Sequence, residues 1–397
     1  MYLHGRKILD RKRGIYTRHA KDVERFAFFS RAALDLLPAI RWQPQILHGH
    51  DWFFGLIPVW LKTTERCHPF FSSMRTILTI HNLANQGIAP LPILRRAGLQ
   101  ATHLPSLERD AINRDIDLLA QGILNADQLT TVSPQYAKEI LTPAYGEHLD
   151  PLLRRRRSTL TGILNGIDTT SFNPATDSAL AARFTARTFQ RAKAKNKQSL
   201  QQSLGLSIVP NVPLFGIVSR IVSQKGLDLL PPAFKPLRHI PFQLILLGTG
   251  DPAITRHLEH WAKQFPNHIR LCPDFDEALA RNIYAASDFF LMPSKFEPCG
   301  LGQMIAMRYG AIPIVRATGG LVNTVCNAPR RSTIPHEGTG MVFHQSTPPS
   351  LTRALRRAFS LTGDPALLRE LIQWNMKKDF SWERSAQHYR KLYQNLI

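Results

Sequence analysis

Arg220 and Lys225 stand five positions apart in the string Ser219-Arg220-Ile221-Val222-Ser223-Gln224-Lys225-Gly226, directly after the apolar run LFGIV at 214–218. A guanidinium and an ammonium that converge there can pair with the oxygens of a diphosphate, and a helix opened by Gly226 would add backbone N–H groups. A capped helix carrying two surface cations would have the same sequence. Both readings stand on these residues alone.

A second constellation is Pro293-Ser294-Lys295-Phe296-Glu297-Pro298-Cys299-Gly300-Leu301-Gly302-Gln303, again behind an apolar run. A carboxylate between an aromatic and a proline has a fixed direction, and the glycines let backbone amides come close to a ligand. Glu297 can then accept hydrogen bonds from sugar hydroxyls and orient a pyranose; its plainer role is an acidic charge favoured at a helix start. Cys299 reads as a small packed residue, since no nearby histidine is evident to activate it as a nucleophile. The turn Ala317-Thr318-Gly319-Gly320-Leu321 follows the next run and can receive an anion, although an ordinary strand-to-helix turn would look the same.

The first half carries His48-Gly49-His50-Asp51-Trp52 and His81-Asn82-Leu83, each at the end of an apolar run. Two histidines at spacing two beside Asp51 invite a metal reading, but such a site needs a further ligand and outer partners that no spacing supplies. An imidazole, a carboxylate and an indole in one place suit a carbohydrate better, because indole faces stack on sugar C–H faces and carboxylates bind hydroxyls. No metal is expected.

These residues need strands to position them. LFGIV (214–218), QLILL (243–247), FFLM (289–292) and IPIV (312–315) are short apolar runs separated by helix-length amphipathic segments, with weaker strands at 269–271 and 341–343. The alternation predicts βαβ units and a parallel sheet. Ligands of open α/β sheets lie beyond the carboxyl ends of the strands, which is where all three turns fall. The first half is sparser, with strands expected at 45–48, 76–80 and 128–132 and helices at 23–37 and 110–124. A Gly-, Asn-, Asp- and Pro-containing stretch at 165–177 reads as a hinge between two Rossmann-like halves, and 381–393 as a capped amphipathic helix. Two such halves facing each other across a cleft suit a reaction between two substrates. Neither G-x-G-x-x-G nor G-x-x-x-x-G-K-[ST] occurs, which removes most of the weight from dehydrogenases and P-loop nucleotidases.

Composition narrows the classes further. The chain has 397 residues, 44% hydrophobic, which is more than one core usually organises and ample for two. Its 50 Lys+Arg against 29 Asp+Glu give a net charge of +21, yet the densest basic run, 154–157, is short and isolated. That favours a solvated basic surface over a nucleic-acid partner. Cys67, Cys272, Cys299 and Cys326 are far apart with no C-x-x-C spacing, which argues against a zinc site or a disulfide framework and for a reducing compartment. No signal-like apolar core opens the chain and no run of about 18 apolar residues is free of charge, so a cytoplasmic protein without a membrane partner is expected.

Taken in order, the motifs resemble those of bacterial glycogen synthases and plant starch synthases, retaining glycosyltransferases of the GT-B kind. The resemblance rests on Gly14-Ile15-Tyr16, ERFAFFS at 24–30, HGHDW at 48–52, TIHNLANQG at 79–87, TTVSP at 130–134, GILNGID at 162–168, VSRIVSQKGLDLL at 218–230, SKFEPCGLGQ at 294–303, TGGLVNTV at 318–325 and DFSWERSA at 379–386. It implies an α/β GT-B fold with an acceptor-side Rossmann-like domain over 1–170, a nucleotide-sugar domain over 171–376 and a final helix over 377–397 that packs back on the first. ADP-glucose as donor, the non-reducing end of an α-1,4-glucan such as glycogen as acceptor, retention at the anomeric carbon and no cofactor are also implied.

On the matching positions, the resemblance assigns Arg220 and Lys225 to the diphosphate, with Gly226 in the same loop. Glu297, Cys299, Gly300 and Leu301 would line the glucose and phosphate pocket, with Thr318 and Gly319 beside them. His81 would stand by the glucose, Asp51, Trp52 and Asn165 would belong to the catalytic cleft and its acceptor side, and Phe275 would lie by the adenine. A glucan synthase remnant that binds ADP or glucan without turnover is the second reading. This sequence departs from the family at Phe275 (usually Tyr), Gly302 (Thr), Lys295 and Ala317 (both Arg), and no K-x-G-G-L string precedes Tyr16. The resemblance therefore implies an incomplete first domain. Ile305, where group 1 glycosyltransferases usually carry a second Glu, weighs against that wider group.

Overall fold

The computed structural model describes residues 21–328 and 338–397; the Gly14-Ile15-Tyr16 stretch lies outside them. The chain divides into two compact units, one from the described part of Met1–Val132 with Ala137–Gly162 and Arg390–Ile397, the other from Ser133–Tyr136 and Ile163–Tyr389. Expected boundaries lay at 170/171 and 376/377; the units part at 162/163 and, inside the last helix, at 389/390.

The first unit holds β1 (Ile46–His50), β2 (Arg75–Ile80), β3 (Ile88–Pro90), β4 (Asp115–Asp117), β5 (Gln128–Thr131) and β6 (Leu160–Gly162). Four of them form a parallel sheet in the order β1-β2-β5-β6, while β3 and β4 pair antiparallel. Helix Lys21–Ala39 turns Val23, Ala27, Leu34 and Leu37 inward at helical spacing, as its sequence predicts. A continuous helix over 110–124 does not form. Arg114 takes a left-handed φ of 67°, Asp115–Asp117 extend to pair with Ile88–Pro90, and Asp117 then caps a new helix, Leu118–Asn125, by accepting from Ala120 N at 2.9 Å. A good cap and a strand partner outcompete helix continuation at that point.

The second unit is a six-stranded parallel sheet of β7 (Leu214–Val218), β8 (Gln243–Leu247), β9 (Ile269–Cys272), β10 (Phe289–Met292), β11 (Ile312–Arg316) and β12 (Met341–Phe343). Its strands read as unbroken apolar runs because both faces are covered; every residue of β8 is buried. Asp251 and Asp276 cap helices Pro252–Gln264 and Glu277–Ala286 through side-chain acceptance of backbone N–H groups, which fixes where each helix leaves its strand. The strand order is β12-β11-β10-β7-β8-β9, so the winding reverses between β7 and β10. Each unit thus has the parallel sheet and flanking helices of the expected α/β, Rossmann-like class. Among the described residues no helix is long and apolar enough to cross a membrane.

Candidate active site

The reversal between β7 and β10 opens a crevice at their carboxyl ends, the usual ligand position in a doubly wound sheet. The string with Arg220 and Lys225 follows β7, and the string with Glu297 follows β10. A cavity of about 200 Å³ lies there, lined by Arg220, Lys225, Tyr284, Glu297, Gly300 and Leu301 among others. Two cations and a carboxylate expected from separate motifs thus share one cavity.

Their partners differ. Lys225 Nζ donates to Glu297 Oε2 at 2.6 Å, and Ser294 Oγ donates to the same oxygen at 2.9 Å. The pair is well shielded, with the lysine and glutamate side chains 15% and 8% exposed. Arg220 is exposed and makes no ion pair or hydrogen bond through its guanidinium among the described residues. An unpaired guanidinium at the rim and an ammonium inside provide for an anion with two charged groups.

Loop positions are set by backbone contacts. Gly226 has φ 63°, and a Cβ there would lie 2.2 Å from Pro293 O, so only glycine lets the first turn press on the second. The expected α-helix opening at Gly226 is not formed. Two single 3-10 turns, Ser223–Lys225 and Leu227–Leu229, flank this left-handed residue, and the helix that follows is only Leu230–Phe234. The positive charge at this turn comes from the side-chain cations rather than from a helix dipole. Gly319, at φ 45°, lies against Glu297 O in the same manner, and Gly320 N donates to that carbonyl at 3.1 Å. Thr318 is fully buried, and neither it nor Gly319 lines the cavity; Gly319 and Gly320 brace the Glu297 loop from behind.

Cys299 is buried, with burial pushing its thiol up to about 12 and the Asn165 backbone N–H opposing that shift. A thiol so reluctant to ionise packs rather than reacts, and Cys299, expected to line the pocket, is not among the residues that line the cavity. Asn165 therefore belongs with this loop in the second unit. Phe275 is 63% exposed after edge strand β9 and does not line the cavity.

In the first unit the HGHDW and HNL strings come together at the ends of the paired strands β1 and β2. Asp51 adopts φ 54° and ψ −165°, a backbone that side chains rarely take, and strain of this kind concentrates at functional sites. Its carboxylate accepts from His81 N at 2.7 Å, and its own N–H donates to Thr79 O at 2.8 Å. Burial raises the Asp51 pKa, with the His81 N–H bond opposing it. Asp51 thus orients the His81 backbone. Trp52 corrects the expectation: it is 5% exposed, edge-on to Phe26 and against Phe53, with Gly87 pressed on its ring. An indole buried in this way has no face free for a sugar. Among the described residues no group of three or more His, Cys, Asp or Glu is placed to hold a metal ion.

Several supporting residues had no expected role. Arg316, buried at the end of β11, donates to Ser294 O at 2.8 Å and to Lys295 O. Ser133, from the TTVSP string, donates to Pro298 O at 2.6 Å, and Gln135 N donates to Asn323 Oδ1. An arginine closing an apolar strand and a serine before a proline at a strand end were the available signals.

Comparison with known proteins finds similarity along most of the chain. The family model for the starch synthase catalytic domain matches residues 1–155, and that for glycosyl transferases group 1 matches residues 204–373. Ile305 therefore does not set this half apart from the group 1 family. The glycogen synthase of Anoxybacillus flavithermus is 42% identical over 379 residues, covering 96% of this chain and 78% of that protein. That of Moorella thermoacetica is 42% identical over 380 residues, covering 96% and 77%. The catalytic domain of starch synthase IV from Arabidopsis thaliana, solved bound to ADP and acarbose, superposes with a TM-score of 0.88 at 39% identity over 95% of this chain and 78% of that one. Sucrose-phosphate synthase from Thermosynechococcus elongatus, at 21% identity and a TM-score of 0.60 over 94% and 78%, shares the fold.

Proposed function

This chain belongs to the glycogen and starch synthase family of glycosyltransferases, and from that premise we propose that it transfers glucose from ADP-glucose to the non-reducing end of an α-1,4-glucan with retention of configuration. The observation that carries the reading is the cavity at the β7/β10 reversal, where Arg220, Lys225 and Glu297 converge.

The chemical difficulty is charge. As the glycosidic C–O bond to the diphosphate lengthens, the leaving ADP gains negative charge and the sugar becomes oxocarbenium-like. Arg220 and Lys225 would stabilise the ADP side, while Glu297, fixed by Ser294 and Lys225, would orient the sugar hydroxyls. Because Lys225 is already bound to Glu297, donor binding must let it serve the carboxylate and a phosphate oxygen together; an ammonium has three N–H groups and can do both. Retention then needs no protein nucleophile if the leaving phosphate takes the proton of the incoming hydroxyl on the same face. The buried Cys299 thiol is consistent with that route. No metal is required, since the cations come from side chains.

A non-catalytic glucan synthase remnant is the less favoured alternative, because similarity to the glycogen synthases extends over 96% of the chain. The test is incorporation of labelled glucose from ADP-glucose into glycogen by the purified protein. Tight ADP binding with no incorporation would favour the remnant, and neither binding nor incorporation would sink the proposal.

A further inference from the structure

His50 has no part in the reading above, yet its Nδ1 lies 3.0 Å from His81 Nε2. Two imidazole nitrogens at hydrogen-bond distance must divide roles, one donating and one accepting, so the contact forbids a proton on both facing nitrogens. His50 is itself held from behind. His48 stacks on it with ring centroids 4.9 Å apart, and both His48 nitrogens are engaged, Nδ1 with the Tyr393 hydroxyl and Nε2 with Thr79 Oγ1, each at 2.6 Å. Thr79 Oγ1 in turn lies 2.5 Å from Thr130 Oγ1.

The strand register explains the grouping. His48 and His50 point to one face of β1, Thr79 and His81 to the same face of β2 and just beyond its end, and His50 pairs with Thr79 across the ladder. His81 is therefore fixed twice, at its backbone N–H by Asp51 and at its ring by His50. With Nε2 engaged, Nδ1 is the ring nitrogen left to meet a ligand. Burial holds the His50 pKa below the ordinary histidine value; the charge of His81 adds to this and that of Asp51 opposes it, while His48 is likewise depressed to about 4.

We infer that His50 is a positioning residue for glucosyl transfer, fixing the ring rotation and tautomer of His81 so that His81 Nδ1 faces the donor sugar. The inference rests on the proposed place of His81 beside the glucose.

The test uses the full chain with ADP-glucose and glycogen, comparing His50→Ala, His50→Asn, His81→Ala and the double alanine variant. His50→Ala should lower kcat about tenfold with donor KM moved less than about twofold, since the transition-state geometry is lost rather than ground-state binding. His50→Asn, whose amide reaches the Nδ1 position, should recover most of that loss. The double variant should be no slower than His81→Ala alone, because residues acting through one another are non-additive. Nitrogen-15 NMR of the His81 ring gives a readout apart from turnover: one tautomer in the parent protein and in His50→Asn, a mixture in His50→Ala. Additive losses, or His81 ring shifts indifferent to His50→Ala, would overturn the inference. Wild-type turnover by His81→Ala would instead remove the proposed role of His81, and with it the catalytic part of this inference.

Discussion

The Lys225–Glu297 pair permits a test in which stability and catalysis part company. Replacing Lys225 by Met leaves a carboxylate that is 8% exposed with only the Ser294 hydroxyl as a side-chain partner among the described residues. Breaking a fully buried ion pair costs about 3–5 kcal/mol; here the pair borders a cavity, so we expect about 2 kcal/mol. Glu297→Gln removes the opposite charge and should cost about 1–2 kcal/mol. The double variant K225M/E297Q leaves no orphaned charge, and its stability should return to within about 1 kcal/mol of the parent. Turnover should behave differently, because losing a cation aimed at developing negative charge costs about 2.7–4 kcal/mol, a 100- to 1,000-fold drop in kcat. The second substitution cannot restore that cation. Urea unfolding midpoints and glucose incorporation on the same four proteins provide the measurements. If the two stability losses simply add, the ion pair does not exist in solution; if K225M turns over within about threefold of the parent, Lys225 does not serve the diphosphate.

Arg220→Ala should leave stability within about 0.5 kcal/mol, since the guanidinium has no described partner, while ADP affinity measured by calorimetry falls about 10- to 100-fold. Asp117 has its carboxyl raised to about 7, chiefly by burial, with the charge of Asp110 adding to the shift. Because the folded value lies above the unfolded one of about 3.9, its contribution is complete below pH ~4 and is lost as pH rises through about 7. Asp117→Asn keeps an acceptor for Ala120 N and should gain about 1–3 kcal/mol at pH 8 and almost nothing at pH 4, read from urea unfolding at both. Gly226→Ala, forced to φ 63° with its Cβ 2.2 Å from Pro293 O, should lose about 2 kcal/mol or more and weaken ADP binding. At pH 8 iodoacetamide should label the exposed Cys67 and Cys326 in the folded protein and spare Cys299, as mass spectrometry would show.

The second unit was legible because a doubly covered parallel sheet writes itself as apolar runs: LFGIV, QLILL and FFLM are strands with the bounds read from the sequence. The switch point was not, since strand order depends on which crossover goes left or right, and no residue encodes that locally. In the first unit three short strands leave little trace in the sequence. Asp115–Asp117 has no apolar alternation, and Leu160–Gly162 is too brief to show any. Trp52 cannot be placed from sequence, because an indole after a strand looks the same whether it faces a ligand or the core; Phe26 and Phe53 around it decide. Arg220, Lys225 and Glu297 could be placed from sequence because each follows a strand. The contact of Lys225 with Glu297, like that of His50 with His81, is a matter of side-chain rotamers fixed by distant neighbours.

The division of the chain has a practical consequence for dissecting the molecule. Tyr393, which engages His48, comes from the far end of the sequence, and Ser133, which engages Pro298, comes from long before the loop it steadies. A piece ending at Gly162 would leave the His48 ring without its phenol, and a piece beginning at Ile163 would leave the Pro298 carbonyl without its hydroxyl donor. Fragment complementation should therefore be attempted with both pieces co-expressed, since a single cut does not yield two self-sufficient proteins.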